Sequence, residues 1–230
     1  MSLMPFGDKS LDLSLPHVMG ILNVTPDSFS DGGAFSALDA ALQQADKMIR
    51  EGASIIDVGG ESTRPGAVPV STQQELDRVL PVIESIKKRF DIIVSVDTST
   101  ADVIRNASAL GAGLINDVRA LEREGSLQAA AQTNLPICLM HMKGTPQTMQ
   151  NSPEYTSVTD DVADYLVSRV DVCEAEGIGR HRLILDPGIG FGKTLTHNLS
   201  LLKNTEHFRK LGFHVLMGLS RKAMIGDVLI

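Results

Sequence analysis

The sequence predicts an α/β protein folded as a (β/α)8 TIM barrel, and two observations lead to this class. Short apolar, β-branched runs alternate with longer amphipathic segments of helical periodicity, which implies parallel strands joined by right-handed crossovers. A polar residue or a polar loop follows each of the apolar runs. An open doubly wound sheet gathers its chemistry at one switch point, whereas a barrel draws on the carboxyl ends of nearly all its strands, so the pattern favours the barrel.

The predicted strands and helices alternate along the whole chain. The strands are His17–Asn23, Ser54–Val58, Ile92–Asp97, Leu114–Asp117, Pro136–His141, Arg182–Asp186 and His214–Gly218. The helices are Ala37–Arg50, Thr72–Phe90, Ala101–Leu110, Ser126–Thr133, Val158–Glu176 and Asn198–Leu211. The sequence stops at Ile230, inside what would be the seventh helix, so the eighth strand and the last helix of the barrel are absent from it. Because a missing strand leaves strand edges unpaired, we expect truncation or omitted residues here.

The length and the hydrophobic content predict one domain over residues 1–230. Residues 1–16, which precede the first predicted strand, form an N-terminal extension of it. A second methionine at position 4 suggests a second possible start of the protein, so we expect Met1 to Leu3 not to belong to the fold. The net charge of −7 and the scattered basic residues argue against nucleic acid and against an anionic membrane as partners. Neither a secretion signal nor an apolar run of about eighteen residues is present, so we expect a cytoplasmic protein. Cys138 and Cys173 are expected to stay reduced.

Two long polar loops follow the first two strands. In "NVTPDSFSDGG", Asn23 and Asp27 offer oxygen ligands to a hard cation, and the alternative is an irregular surface loop. In "GGESTRPGA", Arg64 presents a planar fork that suits a carboxylate or a phosphate, and the alternative is a surface ion pair.

Three acceptor-bearing side chains, Asp97, Asn116 and Asp186, stand at the ends of the third, fourth and sixth strands. Burying them is costly unless something donates to them, and a ligand rich in N–H donors, such as an aminopyrimidinone ring, would do so. Alternatively, they cap the following helices or pair with Lys222. Metal binding by the two aspartates is a weak alternative, because no histidine lies at ligand spacing from either.

The ends of the remaining strands suggest apolar side chains that pack against a flat ring, and a binding site for an anion. His141 reads more readily as a core residue than as a ligand, whereas Met140 could press on a flat ring. The segment "LDPGIGFGKT" lacks both the P-loop and the dinucleotide glycine spacing, so its glycines serve shape and Phe191 offers an aromatic wall. In "GLSRKAMIG", Ser220 and Lys222 lie where a helix begins, which is typical of an anion site in a barrel.

Several of these segments together carry a family resemblance. They are "GILNVTPDSFSDGG", "DVGGESTRPGA", "SVDTS", "INDV", "LMHMKGTPQTMQ", "LDPGIGFGKT" and "GLSRKAMIG". In this order they resemble the bacterial dihydropteroate synthases, the folate-pathway enzymes that sulfonamides inhibit. The resemblance implies a (β/α)8 barrel that joins 6-hydroxymethyl-7,8-dihydropterin diphosphate to 4-aminobenzoate. The products would be 7,8-dihydropteroate and diphosphate.

The resemblance also implies roles for residues. Those that match the pterin site are Asp97, Asn116, Asp186 and Lys222, with Met140 and Phe191 beside the ring. Those that match the aminobenzoate site are Thr63, Arg64, Pro65, Phe191, Ser220 and Lys222, with Gly218 also in contact with substrate and Phe29 in the first loop. Asn23 matches the residue associated with Mg2+ and diphosphate, and the family forms homodimers. A stabilised cation left by departing diphosphate needs no nucleophile, so the reaction would be SN1-like, with Asp97, Asp186, Lys222 and Arg64 central to it.

Two rival functions stay open at this stage. A pterin-binding barrel that passes a methyl group from a folate to a corrinoid protein would share the fold and the Asp and Asn ring contacts, although the two long loops argue against it. A non-catalytic module that holds pterin without turnover is supported only by the missing eighth strand.

Overall fold

The computed structural model describes residues 3–25, 33–62, 69–145, 148–149, 153–220, 222 and 224–226. Its main sheet has parallel strands in the order β3-β4-β5-β6-β7-β8-β9, which is their order in the sequence. These strands are β3 (Val18–Asn23), β4 (Ala53–Gly59), β5 (Ile93–Asp97), β6 (Leu114–Asp117), β7 (Ile137–Met140), β8 (Leu183–Asp186) and β9 (His214–Val215). The α/β class and the barrel arrangement are therefore confirmed.

The helices connect successive strands and cover the outer face of the sheet. They are α1 (Gly33–Arg50), α2 (Thr72–Arg89), α3 (Ala101–Ala109), α4 (Ser126–Ala131), α5 (Val158–Ala175), α6 (Leu195–Lys203) and α7 (Thr205–Arg209), with a short 3-10 helix at Arg180–Arg182. Outward-facing strand residues such as Val94, Ile115 and Leu139 are completely buried against these helices. The sheet therefore has an apolar outer face, and its inner face is free to carry the polar residues of a site.

The first helix begins at Gly33 instead of Ala37, and the fourth ends at Ala131 instead of Thr133. Larger corrections concern the seventh strand and the last predicted helix. The seventh strand was predicted to reach Gly218 but ends at Val215, and one further backbone bond joins the Leu216 N–H to the Leu185 carbonyl oxygen at 2.9 Å. Within the described residues β9 pairs only with β8, so nothing on its other side extends the ladder. The other six strands lie within one residue of their predicted bounds at each end.

The predicted helix Asn198–Leu211 is two helices, α6 and α7, separated at Asn204. The first begins earlier than predicted because Thr194 forms a capping box with His197: the His197 N–H donates to the Thr194 hydroxyl, and the Thr194 N–H donates to His197 Nδ1, each at 3.2 Å. The break follows from Asn204, whose backbone (φ −101°, ψ 25°) leaves the helical region.

An N-terminal hairpin, which the sequence analysis did not predict, closes the amino-terminal end of the strands. It consists of β1 (Leu3–Phe6) and β2 (Lys9–Asp12), joined at Gly7, whose positive φ of 67° suits a tight turn. Met4 and Phe6 are buried among inward-facing residues near the starts of the barrel strands: Ile55, Ile93, Leu114, Cys138 and Ile184. The first pair of the hairpin joins Leu3 to Asp12, so Leu3 belongs to the fold, contrary to expectation.

The outer edges of β3 and β9 have no partner strand among the described residues. On β3, Val18 is 63% exposed and Ile21 is 52% exposed, which is unusual for apolar residues of a barrel strand. None of the helices in the described part of the chain combines the length and the apolar character that a bilayer crossing requires.

Candidate active site

The carboxyl ends of the strands bring the predicted polar residues to one edge of the sheet. Asp97 ends β5 and lies beside Asn116 of β6, and Asp186 ends β8 and lies beside Met140 of β7. Asn23 ends β3 with an exposed side chain and pairs with Gly59, which in turn pairs with Asp97. A single row of residues thus runs from Asn23 to Asn116 across four neighbouring strands.

Asp97 is an acceptor without a donor. Its side chain is partly exposed at the mouth, and no described residue donates a hydrogen bond to it. Burial raises the pKa of Asp97 well above its usual value, and the negative charges of Asp57 and three other carboxylates raise it further. A ligand with N–H donors at this position would relieve both the missing hydrogen bonds and the charge repulsion.

Asp186 is better supported by its surroundings. Its Oδ1 accepts a hydrogen bond from the Gly188 N–H at 2.7 Å. Burial raises the pKa of Asp186 to about 6, an effect that the Gly188 hydrogen bond and the nearby charges of Lys222 and Lys193 partly offset. The group is consequently mostly ionised at neutral pH and can accept hydrogen bonds from a ligand.

The glycine-rich turn after β8 has the shaping role that the sequence predicted. Gly188, Gly190 and Gly192 all have positive φ angles, of 69°, 83° and 63°. A Cβ atom on Gly188 would lie 1.8 Å from the His141 carbonyl oxygen, so only glycine fits against the end of β7. The turn holds Phe191 in a partly exposed position, with the Lys222 ammonium 4.3 Å from its ring centroid.

Lys193, to which the sequence analysis gave no role, stabilises this turn from its buried side. It is 3% exposed, and its ammonium donates to the Phe191 carbonyl oxygen (2.9 Å), to His141 Nδ1 (2.9 Å) and to the His141 carbonyl oxygen (3.3 Å). Burial lowers the pKa of Lys193 to about 7 and that of His141 to about 3, so the imidazole is neutral and can accept. His141 is thus a buried structural residue, as its more favoured interpretation predicted.

Asp57 was missed by the sequence analysis because it lies inside the apolar run "SIIDVGG" and not at its end. The residue is 1% exposed on β4, and its Oδ2 accepts a hydrogen bond from Asn116 Nδ2 at 3.0 Å. A charged residue two positions before Gly59, and hence on the same face of the strand, is the signal that could have revealed it.

Asp117, the neighbour of Asn116, has a structural role. It accepts hydrogen bonds from the backbone N–H groups of Arg119 (2.8 Å) and Leu121 (3.1 Å), and also from the Ser99 hydroxyl. Leu121 has a positive φ of 58°, so these bonds hold a turn that few non-glycine residues adopt. Glu61, at the start of the second loop, forms a bidentate ion pair with Arg119. Arg119 Nη1 donates to Glu61 Oε2 and Nη2 donates to Oε1, each at 3.1 Å.

The other predicted site residues lie at the rim or beyond the described residues. Gly218 is partly exposed and Ser220 is exposed, both after β9. Lys222 is partly buried, and burial lowers its pKa while the charge of Asp186 raises it. The predicted residues Asp27, Phe29, Thr63, Arg64 and Pro65 lie outside the described residues. No group of three or more His, Cys, Asp or Glu side chains in the described ranges is arranged to hold a metal ion.

Comparison with known proteins agrees with this geometry. The family model described as "Pterin binding enzyme" matches residues 19–230. The dihydropteroate synthase of Escherichia coli strain K12 is 56% identical over 220 residues, which cover 96% of this chain and 78% of that protein. The Haemophilus influenzae enzyme is 54% identical over 222 residues, covering 96% and 81%.

Solved structures show the same fold and a similar extent of overlap. The Yersinia pestis dihydropteroate synthase in complex with a sulfonamide drug has a TM-score of 0.93 at 52% identity, covering 99% of this chain and 82% of that one. The Xanthomonas albilineans enzyme in complex with 7,8-dihydropteroate has a TM-score of 0.86 at 43% identity, covering 96% and 78%. The chain therefore belongs to the pterin-binding enzymes and, within them, to the dihydropteroate synthases.

Proposed function

We propose that the mouth lined by Asp97, Asn116 and Asp186 binds the pterin ring of 6-hydroxymethyl-7,8-dihydropterin diphosphate and that 4-aminobenzoate displaces the diphosphate there. The chain is a transferase of folate biosynthesis, and its product is 7,8-dihydropteroate. The observation that carries the assignment of the site is the set of acceptors at the mouth, above all Asp97, which lacks a donor among the described residues. The Xanthomonas albilineans relative, solved with 4-aminobenzoic acid, supports the choice of the second substrate.

The recognition of the pterin follows from the complementarity of hydrogen-bonding groups. An aminopyrimidinone ring presents an exocyclic amino group and a ring N–H side by side, and a carboxylate can accept from both. Asp186, whose pKa is about 6, is mostly ionised at neutral pH and suits this role. Asn116 both donates and accepts, and the apolar side of the ring would lie against Met140 and Phe191.

The reaction needs no nucleophilic side chain. Departure of diphosphate from the exocyclic methylene leaves a cation that the electron-rich ring stabilises, and the carboxylates of Asp97 and Asp186 favour positive charge in the pocket. The uncharged amine of 4-aminobenzoate then attacks the methylene carbon and loses a proton. Excluding water is essential, because water would compete with the amine for the same carbon. The proposed aminobenzoate site comprises Thr63, Arg64, Pro65, Phe191, Ser220 and Lys222, with Gly218 at its edge and Phe29 from the first loop.

Asn23, the residue that the resemblance associates with Mg2+, suits a cation that binds together with diphosphate. Mg2+ takes oxygen ligands and commonly combines one or two protein groups with phosphates and waters. Asn23 provides an amide oxygen on an exposed side chain at the end of β3, in the same row as Asp97. When bound, Mg2+ would neutralise the leaving diphosphate. The homodimer is a further proposal that rests on the family resemblance, and the cytoplasmic location that the sequence led us to expect is also a proposal.

The test is diphosphate release from 6-hydroxymethyl-7,8-dihydropterin diphosphate, measured with and without 4-aminobenzoate. We expect release that depends on 4-aminobenzoate and stops with EDTA. The Asp97→Asn variant, which keeps the size of the side chain, should fold as the wild type does and bind the pterin more weakly. Absence of release from the full-length wild type would reject the synthase and favour the methyl-transfer barrel. Sedimentation velocity of the same sample tests the homodimer.

A further inference from the structure

We infer that Asp57 is a positioning residue of the pterin site, because its carboxylate holds the side-chain amide of Asn116 in one orientation. The inference rests on the proposed function and adds to that site a residue with no contact to substrate. Asp57 acts through Asn116, and Asn116 acts on the ring.

Strand register places Asp57 directly below the pterin-binding row. Gly59 pairs with Asp97 across β4 and β5, and Asp57 pairs with Ser95 across the same two strands. Residues two apart on a strand share a face, so Asp57 and Ser95 lie one layer deeper in the barrel than Asp97. From this layer the Asp57 Oδ2 reaches Asn116 Nδ2 at 3.0 Å.

This hydrogen bond decides which way the amide of Asn116 points. An ionised carboxylate can only accept, so the NH2 group of Asn116 faces Asp57 and its carbonyl oxygen faces the other way. An amide without such a partner can turn over and exchange its donor and acceptor. With Asp57 in place, the ring meets a fixed acceptor and one remaining N–H donor, which is the arrangement that a ring with both kinds of group requires.

A second observation indicates that the carboxylate serves the site and not the fold. The other oxygen of Asp57, Oδ1, and the Ser95 hydroxyl are buried without a hydrogen-bonding partner in the described residues. Burial raises the pKa of Asp57, and Ser95 offsets this rise although its geometry falls short of a hydrogen bond. An incompletely satisfied buried carboxylate is destabilising, and an apolar side chain of similar size would suit the fold better.

Asp57 also acts on the site through its charge. Burial is the largest cause of the raised pKa of Asp97, and the charge of Asp57 is the next. The other carboxylates that raise this pKa, in decreasing order of effect, are Asp117 of β6, Glu75 of α2 and Glu61 after β4. Removing the charge of Asp57 should therefore lower the pKa of Asp97, so that Asp97 stays ionised to lower pH.

The experiment compares Asp57→Asn with Ser95→Ala in the full-length protein. The dissociation constant of 6-hydroxymethylpterin is measured by calorimetry from acid to mildly alkaline pH, and KM is measured for both substrates. In Asp57→Asn we expect pterin binding about tenfold weaker than in the wild type at alkaline pH, where affinity no longer depends on pH (the alkaline plateau). The loss of affinity on acidification (the acid limb) should begin at a lower pH than in the wild type. The KM for 4-aminobenzoate should be unchanged. Ser95→Ala removes a buried polar group from the same layer without touching the Asp57–Asn116 hydrogen bond, and it should leave the affinity on the alkaline plateau as in the wild type.

A double-mutant cycle tests whether Asp57 acts through Asn116. In an Asn116→Ala background, Asp57→Asn should cause no further loss of plateau affinity, and a full second loss would overturn the inference. Wild-type affinity together with a wild-type acid limb in Asp57→Asn would also overturn it. The proposed function would survive either result as long as the wild type releases diphosphate only with 4-aminobenzoate. If Asp57→Asn does not fold, Asp57→Ser is judged by the same criteria.

Discussion

The buried lysine under the glycine-rich turn makes the stability of this protein depend on pH in a way that one substitution should remove. Lys193 has an ordinary pKa of 10.5, which burial lowers to about 7 in the folded protein. Between these two values the unfolded chain binds a proton at Lys193 that the folded protein does not, so this group contributes a free energy of unfolding that rises with pH. From pH 7 to pH 9 the accumulated rise is about 2 kcal/mol, allowing for partial protonation of the folded state at the lower limit.

The Lys193→Met variant has no such proton to lose. At pH 9 it should be less stable than the wild type by about 2 to 3 kcal/mol, because the three acceptors that Lys193 contacts, two of them backbone carbonyls, lose their donor. At pH 7 about 2 kcal/mol of that difference should have disappeared. Urea unfolding at a series of pH values measures both quantities, and Lys210→Met, at an exposed position, is the matched control. Parallel stability curves for the wild type and Lys193→Met would refute the assignment of a lowered pKa to Lys193.

Three further predictions concern the site and the hairpin. Pterin affinity should rise as pH increases through about 6, where Asp186 becomes the ionised acceptor, and in a fluorescence titration Asp186→Asn should remove this contribution and leave only the pH dependence that comes from Asp97. Gly188→Ala should prevent folding or cost more than about 3 kcal/mol, because its Cβ would lie 1.8 Å from a carbonyl oxygen. Gly177→Ala has a similar positive φ but no atom within 4 Å, so thermal melts should show a loss of only about 1 kcal/mol. Phe6→Ala should lower the free energy of unfolding by about 3 to 5 kcal/mol with KM for both substrates unchanged, and an altered KM would contradict the separation of hairpin and mouth.

The strands could be predicted closely because their signal is local. A run such as "LIND" at Leu114–Asp117 is apolar, branched and bounded by turn residues, and its observed bounds are those predicted. The grouping of Asp97, Asn116 and Asp186 was also within reach, since parallel strands carry their carboxyl ends to one edge. The hairpin was not, because Met4 and Phe6 are apolar residues whose partners, among them Ile93 and Leu114, lie far along the chain.

Sequence alone determined the seven barrel strands, their order and the edge at which the chemistry lies, because hydrophobic periodicity and turn residues act over a few positions. Tertiary structure alone decided what the interior charges do. Asp57 and Lys193 carry no local mark of their roles, since each depends on a partner in another strand or turn: Asn116 for the carboxylate, and His141 for the ammonium. Burial then sets their ionisation, and burial is a property of the closed packing around a side chain, which no short stretch of sequence contains.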